Sequence, residues 1–412
     1  MSGARAPLST RSIVRRYYGV WLAYALAGGF MGGVYPLFLR SRGLNQFEIN
    51  SVLAVYFAVS LLFDVPTGAF ADALGRRGSF ILGCALRAVA FGIYFISHSF
   101  PLFLVAEAID AIGTTFCNGA LDAWGVDALD EAGFAGTKHG LFSRISQLSS
   151  LGFMTTALLG AYVGNVDLAW PWLLGAAGFL LSGLAGMLLR ERPRSVASLD
   201  HRALRGAVRA QIGVGLRLGF SIRSVRLLSV AEAIMLGAMA PYWVEWPLLF
   251  QDAYGAGVWV VGWVFCALGV GRLLGSEVSA RVSVAPSDRP RLLAALSVAM
   301  GVCLISAAFL AGRPNQALAL LILMNAFQGA REPLAQAWFN EEVSADARAT
   351  LLSFRGMMST AGGALGLLIG GVVADRFGIP FAWKVAGTMF LIAVPCYLAL
   401  RSRTPLTAEA TG

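Results

Sequence analysis

The chain has 412 residues, 57% of them hydrophobic and only 13% charged, with a mean hydropathy of +0.68. A soluble domain carries roughly 25% charged residues, and no soluble fold of this length hides so much apolar surface, so lipid is the solvent. The net charge of +9 suggests a nucleic-acid partner at first sight, but the arginines sit in short stretches between apolar runs, which is a membrane-topology signal instead.

Arg11, Arg15 and Arg16 precede a full-length apolar run with no convincing cleavage site, which predicts a retained first helix and not a signal peptide. Runs of about twenty apolar residues, the length that crosses the hydrocarbon core, fall at 17–39, 47–68, 78–97, 101–125, 140–163 and 169–189. They resume at 225–250, 257–281, 291–311, 315–338, 350–374 and 380–400. The prediction is an all-α integral membrane protein of twelve spans. Residues 1–190 form one six-helix bundle, 191–224 a cytoplasmic linker and 225–412 a second bundle. With both termini in the cytoplasm, 22 of the 32 basic residues lie inside, including Arg5, Arg401 and Arg403. Four (Arg40, Arg42, Arg313 and Arg376) lie outside, as the positive-inside rule requires. In the linker, Leu199, Leu204, Val208, Ile212 and Leu216 recur at near-helical spacing among Arg202, Arg205 and Arg209. Two readings fit: an amphipathic helix on the inner membrane face, or a partly helical tether. The five cysteines lie within apolar runs without ligand-like spacing and read as small core residues, with no disulfide, metal or cofactor expected.

The halves repeat. At an offset of 211 residues Pro36 meets Pro247, Arg144 meets Arg355, Gly152 meets Gly363, Gly160 meets Gly371 and Trp172 meets Trp383. One residue earlier in register, Asp122 meets Glu332. Such repeats mark folds in which two bundles rock about a midplane site.

Between the second and third runs stands Asp64-Val65-Pro66-Thr67-Gly68-Ala69-Phe70-Ala71-Asp72-Ala73-Leu74-Gly75-Arg76-Arg77. Gly68 permits close helix approach, Gly75 a tight turn, and Asp72 suits the amides of a helix N-terminus. The stretch resembles the signature loop of the major facilitator superfamily: Gly68, Asp72, Gly75, Arg76 and Arg77 match its pattern, and Ala73 stands where the family usually has Arg. The resemblance implies two pseudo-symmetric six-helix bundles working by alternating access. The loop would help lock the cytoplasmic side, and the chain would be a bacterial drug or metabolite efflux-like member in the inner membrane. The fifth span carries Gly152, Thr156 and Gly160 at four-residue spacing but no proline, so the Gly-Pro signature of many proton-coupled exporters is absent or degenerate; small-residue packing accounts for the spacing.

Ionisable residues inside spans are costly and functional by default. Near the cytoplasmic ends lie Asp64, Asp122, Arg144, Arg331, Glu332 and Arg355. Repeat symmetry predicts twin pairs, Asp122 with Arg144 and Glu332 with Arg355, acting as gates or as static struts. Deeper lie Arg87, Glu107, Asp110, Glu245 and Arg272. Glu107 and Asp110, at i and i+3, share a helix face. Two carboxylates so close do not both ionise easily in a low dielectric, and a carboxylate that exchanges its proton is what proton coupling requires. The competing reading has Arg87 neutralise one of them as a structural pair. Glu245, between Trp243 and Trp246, is the second coupling candidate, or a residue near the external headgroups. Tyr24, Tyr35, Trp243 and Trp246 offer aromatic surface to an amphipathic or cationic substrate, or belong to the lipid-facing belt. Arg272 suits an anionic substrate group, or pairs with Glu277. No phosphate-binding loop is present, and His98, His139 and His201 are scattered, so no enzyme is expected. The partners expected are protons, membrane lipid and a small, moderately hydrophobic substrate, with no nucleic acid, and the protein acting as a monomer. Export is the leading reading, uptake by symport on the same fold the first alternative, and a non-transporting sensor or scaffold the second.

Overall fold

The computed structural model describes residues 9–134, 136, 138–191 and 213–400. Most of the predicted linker, with Leu199 to Ile212 and its arginines, lies outside the described residues, as do Arg5, Arg401 and Arg403. Among the described residues there is no strand. The helices are α1 (Thr10–Gly29), α2 (Tyr35–Ser41), α3 (Gln46–Leu74), α4 (Arg76–Ile96), α5 (Phe100–Cys117), α6 (Ala120–Glu131), α7 (Lys138–Gly164) and α8 (Trp170–Gly186). They continue with α9 (Arg223–Tyr254), α10 (Trp259–Arg281), α11 (Arg289–Phe309), α12 (Pro314–Glu342), α13 (Ala345–Phe377) and α14 (Ile379–Leu398).

Eight spans among the described residues are long and apolar enough to cross a membrane, α5 and α6 counting as one over Phe100–Glu131. At the other four expected positions, α8 is too short, while α1, α7 and α12 carry heavier polar loads such as Arg331 and Glu332. Several helices overrun the apolar windows, α3 and α13 among them. Hydropathy marks where lipid ends; the hydrogen-bonded ladder ends only where a cap or breaker stops it.

Two spans are broken. The first divides into α1 and α2, and the fourth divides at Asn118–Gly119, where Gly119 takes φ +71°, a left-handed conformation natural to glycine. Their repeat counterparts, α9 and α12, run unbroken through Pro241, Pro247 and Pro333, prolines that cost a ladder bond and bend the helix.

The described residues form two compact units. Of the described residues, one draws on 9–44, those of 55–191 and 256–265, the other on 45–54, 213–255 and 266–400. In the first, α4 packs on α5 and α8 while α1 packs on α7 and α8. In the second, α9 packs on α13 and α14 while α11 packs on α12 and α14. Trp172 and Trp383, the repeat-related tryptophans, are fully buried, one in each unit.

Lipid gives helices no hydrophobic drive to associate, so small residues that let backbones touch matter more. A Cβ placed on Gly366 of α13 would lie 2.0 Å from the Gly237 carbonyl oxygen of α9, and one on Gly362 would lie 2.1 Å from that of Ala233. Gly152, Thr156 and Gly160 serve the same end between α7 and α1, Gly160 lying against the Phe30 carbonyl. Gly366→Ala is therefore expected to cost about 1–3 kcal/mol and to lower the melting temperature of the detergent-solubilised protein by several degrees. Gly356→Ala, on the same helix with nothing within 4 Å, is expected to leave the melting temperature unchanged or slightly raised. Scanning fluorimetry of the two variants checks both.

Candidate functional site

The signature loop joins α3 to α4 through Gly75, whose φ of +100° makes the tight turn that the sequence predicts. The other two expectations change. Nothing lies within 4 Å of a Cβ on Gly68, so that glycine permits no close approach here. Asp72 is 74% exposed and sits 4.0 Å from Arg76, away from the helix amides. Glu191, just beyond α8, caps α4 instead: its Oε1 accepts from the Arg76 amide at 2.9 Å and its Oε2 from the Arg77 amide at 3.0 Å, the anion that a helix N-terminus favours. Arg76 extends its guanidinium to Asp127 of α6 at 2.8 Å. The same end of α8 is tied again where Trp124 donates to the Arg190 carbonyl and Arg16 to that of Leu188. Asp64, on the same helix as Asp72, is exposed.

Among the described residues, Asp122 is not paired with Arg144 in this structure, nor Glu332 with Arg355. Asp122 accepts from Tyr17 Oη at 2.5 Å and from Trp21 Nε1 at 2.9 Å, both on α1, while Arg144 of α7 is exposed. The break before α6 places Asp122 in a new first turn, turned toward α1. In the second unit Glu332 accepts from Arg272 at 2.7 and 2.9 Å and from Gln328 at 2.8 Å, so Arg272 pairs there, while Glu277 bonds Arg281 one turn away. Arg355 donates to Gln336 at 3.0 Å and lies 3.6 Å from Glu232. Equivalent positions in the repeat therefore hold equivalent residue types with different partners.

Two polar clusters result. In the first unit, α5 presents Glu107 and Asp110 on one buried face. Arg87 of α4 grips Asp110 through Nε at 2.8 Å and Nη2 at 3.2 Å, and donates to Tyr24 Oη at 2.7 Å, its guanidinium 4.2 Å over the Phe179 ring. Glu107 takes no guanidinium. It accepts from Tyr94 Oη at 2.5 Å, whose ring stacks on Trp172 at 3.8 Å with Tyr35 Oη 3.5 Å away. Of the two acids, Asp110 is the one that Arg87 neutralises, and Glu107 is held by a phenol.

In the second unit, Arg331 of α12 donates from Nη1 to Glu232 of α9 at 2.5 Å and to Tyr397 of α14 at 2.9 Å; Tyr397 Oη also reaches Glu232 at 3.0 Å. A cavity of about 470 Å³ opens beside this network. Glu232, Met235, Leu236, Met239 and Trp243 line one wall from a single face of α9. Gln328, Arg331, Glu332, Pro333 and Gln336 of α12 and Arg355 and Ser359 of α13 complete it. Of the aromatic candidates, Trp243 lines this cavity, Tyr24 and Tyr35 join the Arg87 cluster, and Trp246 is buried outside both. Glu245 is 1% exposed and has no ion pair among the described residues. Glu232 escaped the sequence reading although it stands inside an apolar run, the very signal that selected Glu107. Tyr397 and Glu191 gave no such signal, because a tyrosine in a span and an acid at a helix end are ordinary.

The model of the Major Facilitator Superfamily matches residues 19–242 and 227–411. The chain belongs to that superfamily. Like other superfamily members it is a multi-pass membrane transporter. The multidrug efflux pump Tap of Mycolicibacterium fortuitum is 27% identical over 370 residues, covering 86% of this chain and 88% of its own. The MFS-type transporter YxaM of Bacillus subtilis, itself uncharacterized, is 21% identical over 386 residues, covering 92% and 94%. Among solved structures, the nucleoside transporter NupG superposes with a TM-score of 0.77 at 13% identity, covering 94% of this chain and 98% of that one, a likeness of fold.

The two ion pairs of the second cluster differ in what their loss exposes. Arg331 and Glu232 are 4% and 10% exposed in their side chains, Arg272 and Glu332 46% and 40%. Arg331→Met strands a buried carboxylate and is expected to cost about 3–5 kcal/mol, whereas Arg272→Ala is expected to cost about 1 kcal/mol or less. Melting curves of the purified variants in one detergent check the ranking.

Proposed function

We propose that this superfamily member is a proton-coupled exporter of small, moderately hydrophobic or amphipathic molecules, working by alternating access in the bacterial inner membrane. In this reading it has twelve spans with cytoplasmic termini, in bundles of residues 1–190 and 225–412 joined by the basic linker 191–224, and acts as a monomer. The observation that carries the coupling is the Arg87 cluster, where two buried carboxylates stand beside one guanidinium that, of the two, bonds only Asp110. A carboxylate without a counter-charge is costly in the membrane, so Glu107 exchanges a proton as its surroundings open and close. Asp110 follows when Arg87 is drawn away, and Glu245 is the next coupling candidate. Similarity to Tap, named a multidrug efflux pump, supports export as the direction.

The cytoplasmic gate, in this reading, is the α3–α4 loop, with Asp72, Arg76, Arg77 and Asp64, together with Asp122, Arg144, Glu332 and Arg355. Arg76 and Asp127 hold it closed, and Glu191 fixes the start of α4 so that the arginines stay in register. Tyr24, Tyr35, Trp243, Trp246 and Arg272 serve the substrate path.

Proteoliposomes with an imposed pH gradient test the proposal, using cationic, neutral and anionic naphthalene probes. Substrate and proton moving in opposite directions support export; co-directional movement favours uptake by symport, and no flux of any probe favours a sensor. Asp110→Asn and Glu107→Gln are expected to lower gradient-driven accumulation about tenfold or more, the order of a lost general acid–base group, with counterflow retained. If both variants still concentrate probe, the coupling lies elsewhere.

A further inference from the structure

The cavity of the second unit carries an imbalance of charge. Five ionisable groups form one connected network: Arg272 with Glu332, Arg331 with Glu232, and Arg355 beside Glu232. Three guanidiniums stand against two carboxylates, an excess of one positive charge. The excess has a location. Arg331 is bonded to Glu232 and Tyr397, and Arg272 has both oxygens of Glu332. Among the described residues Arg355 has the neutral amide of Gln336 at 3.0 Å, the Phe339 ring 5.4 Å away and a carboxylate already taken at 3.6 Å, beyond hydrogen-bonding distance. Its side chain is 15% exposed and it lines the cavity. Within a membrane an arginine short of counter-charge is costly, and a guanidinium with free N–H groups accepts a carboxylate or sulfonate in paired, charge-assisted bonds.

The opposite wall has the other half of the chemistry. Met235, Leu236, Met239 and Trp243 follow the Glu232 turn along one face of α9, and thioethers beside an indole adapt to apolar bodies of varied shape. The volume, about 470 Å³, lies within the range of about 300–1,000 Å³ found for small-molecule sites.

We infer that this cavity binds an amphipathic organic anion, its acidic group on Arg355 and its apolar body against Met235, Met239 and Trp243. The inference takes its purpose from the transport reading, but its test is of binding alone, so either can fail without the other. Gln336, exposed on the cavity wall next to Arg355, provides a second handle: an acid placed there supplies the missing negative charge from within.

Isothermal titration of the full chain in lipid nanodiscs distinguishes the charge, using naphthalene-1-acetate, naphthalene-1-acetamide and 1-naphthylmethylammonium as probes of one body. The acid is expected to bind about tenfold or more tightly than the amide, the order of a bond to a charged group, and the ammonium more weakly still. Arg355→Gln is expected to remove that preference, Arg355→Lys to keep part of it, and Gln336→Glu to abolish it with Arg355 in place. Trp243→Ala is expected to weaken acid and amide alike. Equal binding of acid and amide, a preference for the ammonium, no measurable binding of the acid, or a preference that survives both Arg355→Gln and Gln336→Glu would overturn the inference. Monodisperse elution and an unchanged helical spectrum of Gln336→Glu guard against loss of fold in the arginine variants.

Discussion

Charge inside a low-dielectric medium must find a partner, and much of this structure follows from how its buried guanidiniums are met. Arg87 takes Asp110 and leaves Glu107 to a tyrosine. Arg331 takes Glu232 and leaves Arg355 with an amide, the Phe339 ring and a distant oxygen. Each cluster thus keeps one ionisable group without an ion pair of its own, a carboxyl in the first and a guanidinium in the second. In the proposed reading that remainder gives each cluster its chemistry, because a fully matched network has no reason to exchange a proton or accept an ion.

The pairings depend on helix breaks as much as on residue types. A glycine in the left-handed region ends α5 and starts α6, turning Asp122 toward α1. In the repeat-related span no such break occurs, and the chain runs on through Pro333 with Arg331 and Glu332 pointing to different helices. The repeated pattern therefore keeps its residue types with different partners in the two halves. Nothing in the linear repeat records the difference, since a rotation of one helix by a single break moves every side chain beyond it.

Close backbone approach is the second constraint. Gly366 and Gly362 bring α13 against α9, the helix that carries Glu232, Met235, Met239 and Trp243. The cavity wall is positioned by contacts that have no side chain of their own. In the same way Glu191, at the end of α8, sets where Arg76 begins α4, so the loop motif leans on a residue more than a hundred positions away.

The apolar runs, the placement of arginines and the motif around Asp72 are properties of composition and order, and they were enough to reach an all-helical membrane fold and the family. They sufficed because lipid selects on hydropathy residue by residue, without reference to what lies opposite. Glu107, Asp110 and Arg87 were legible for the same reason, as charges that stand out against apolar neighbours, and Glu232 was equally legible by that rule. Which acid meets which arginine was not. Asp122 facing Tyr17 and Trp21, Glu332 facing Arg272, Glu191 capping α4 and the excess charge at Arg355 are decided by helix breaks, rotations and close packing. These fix distances between residues far apart in the chain, and a distance of that kind exists only once the chain has folded.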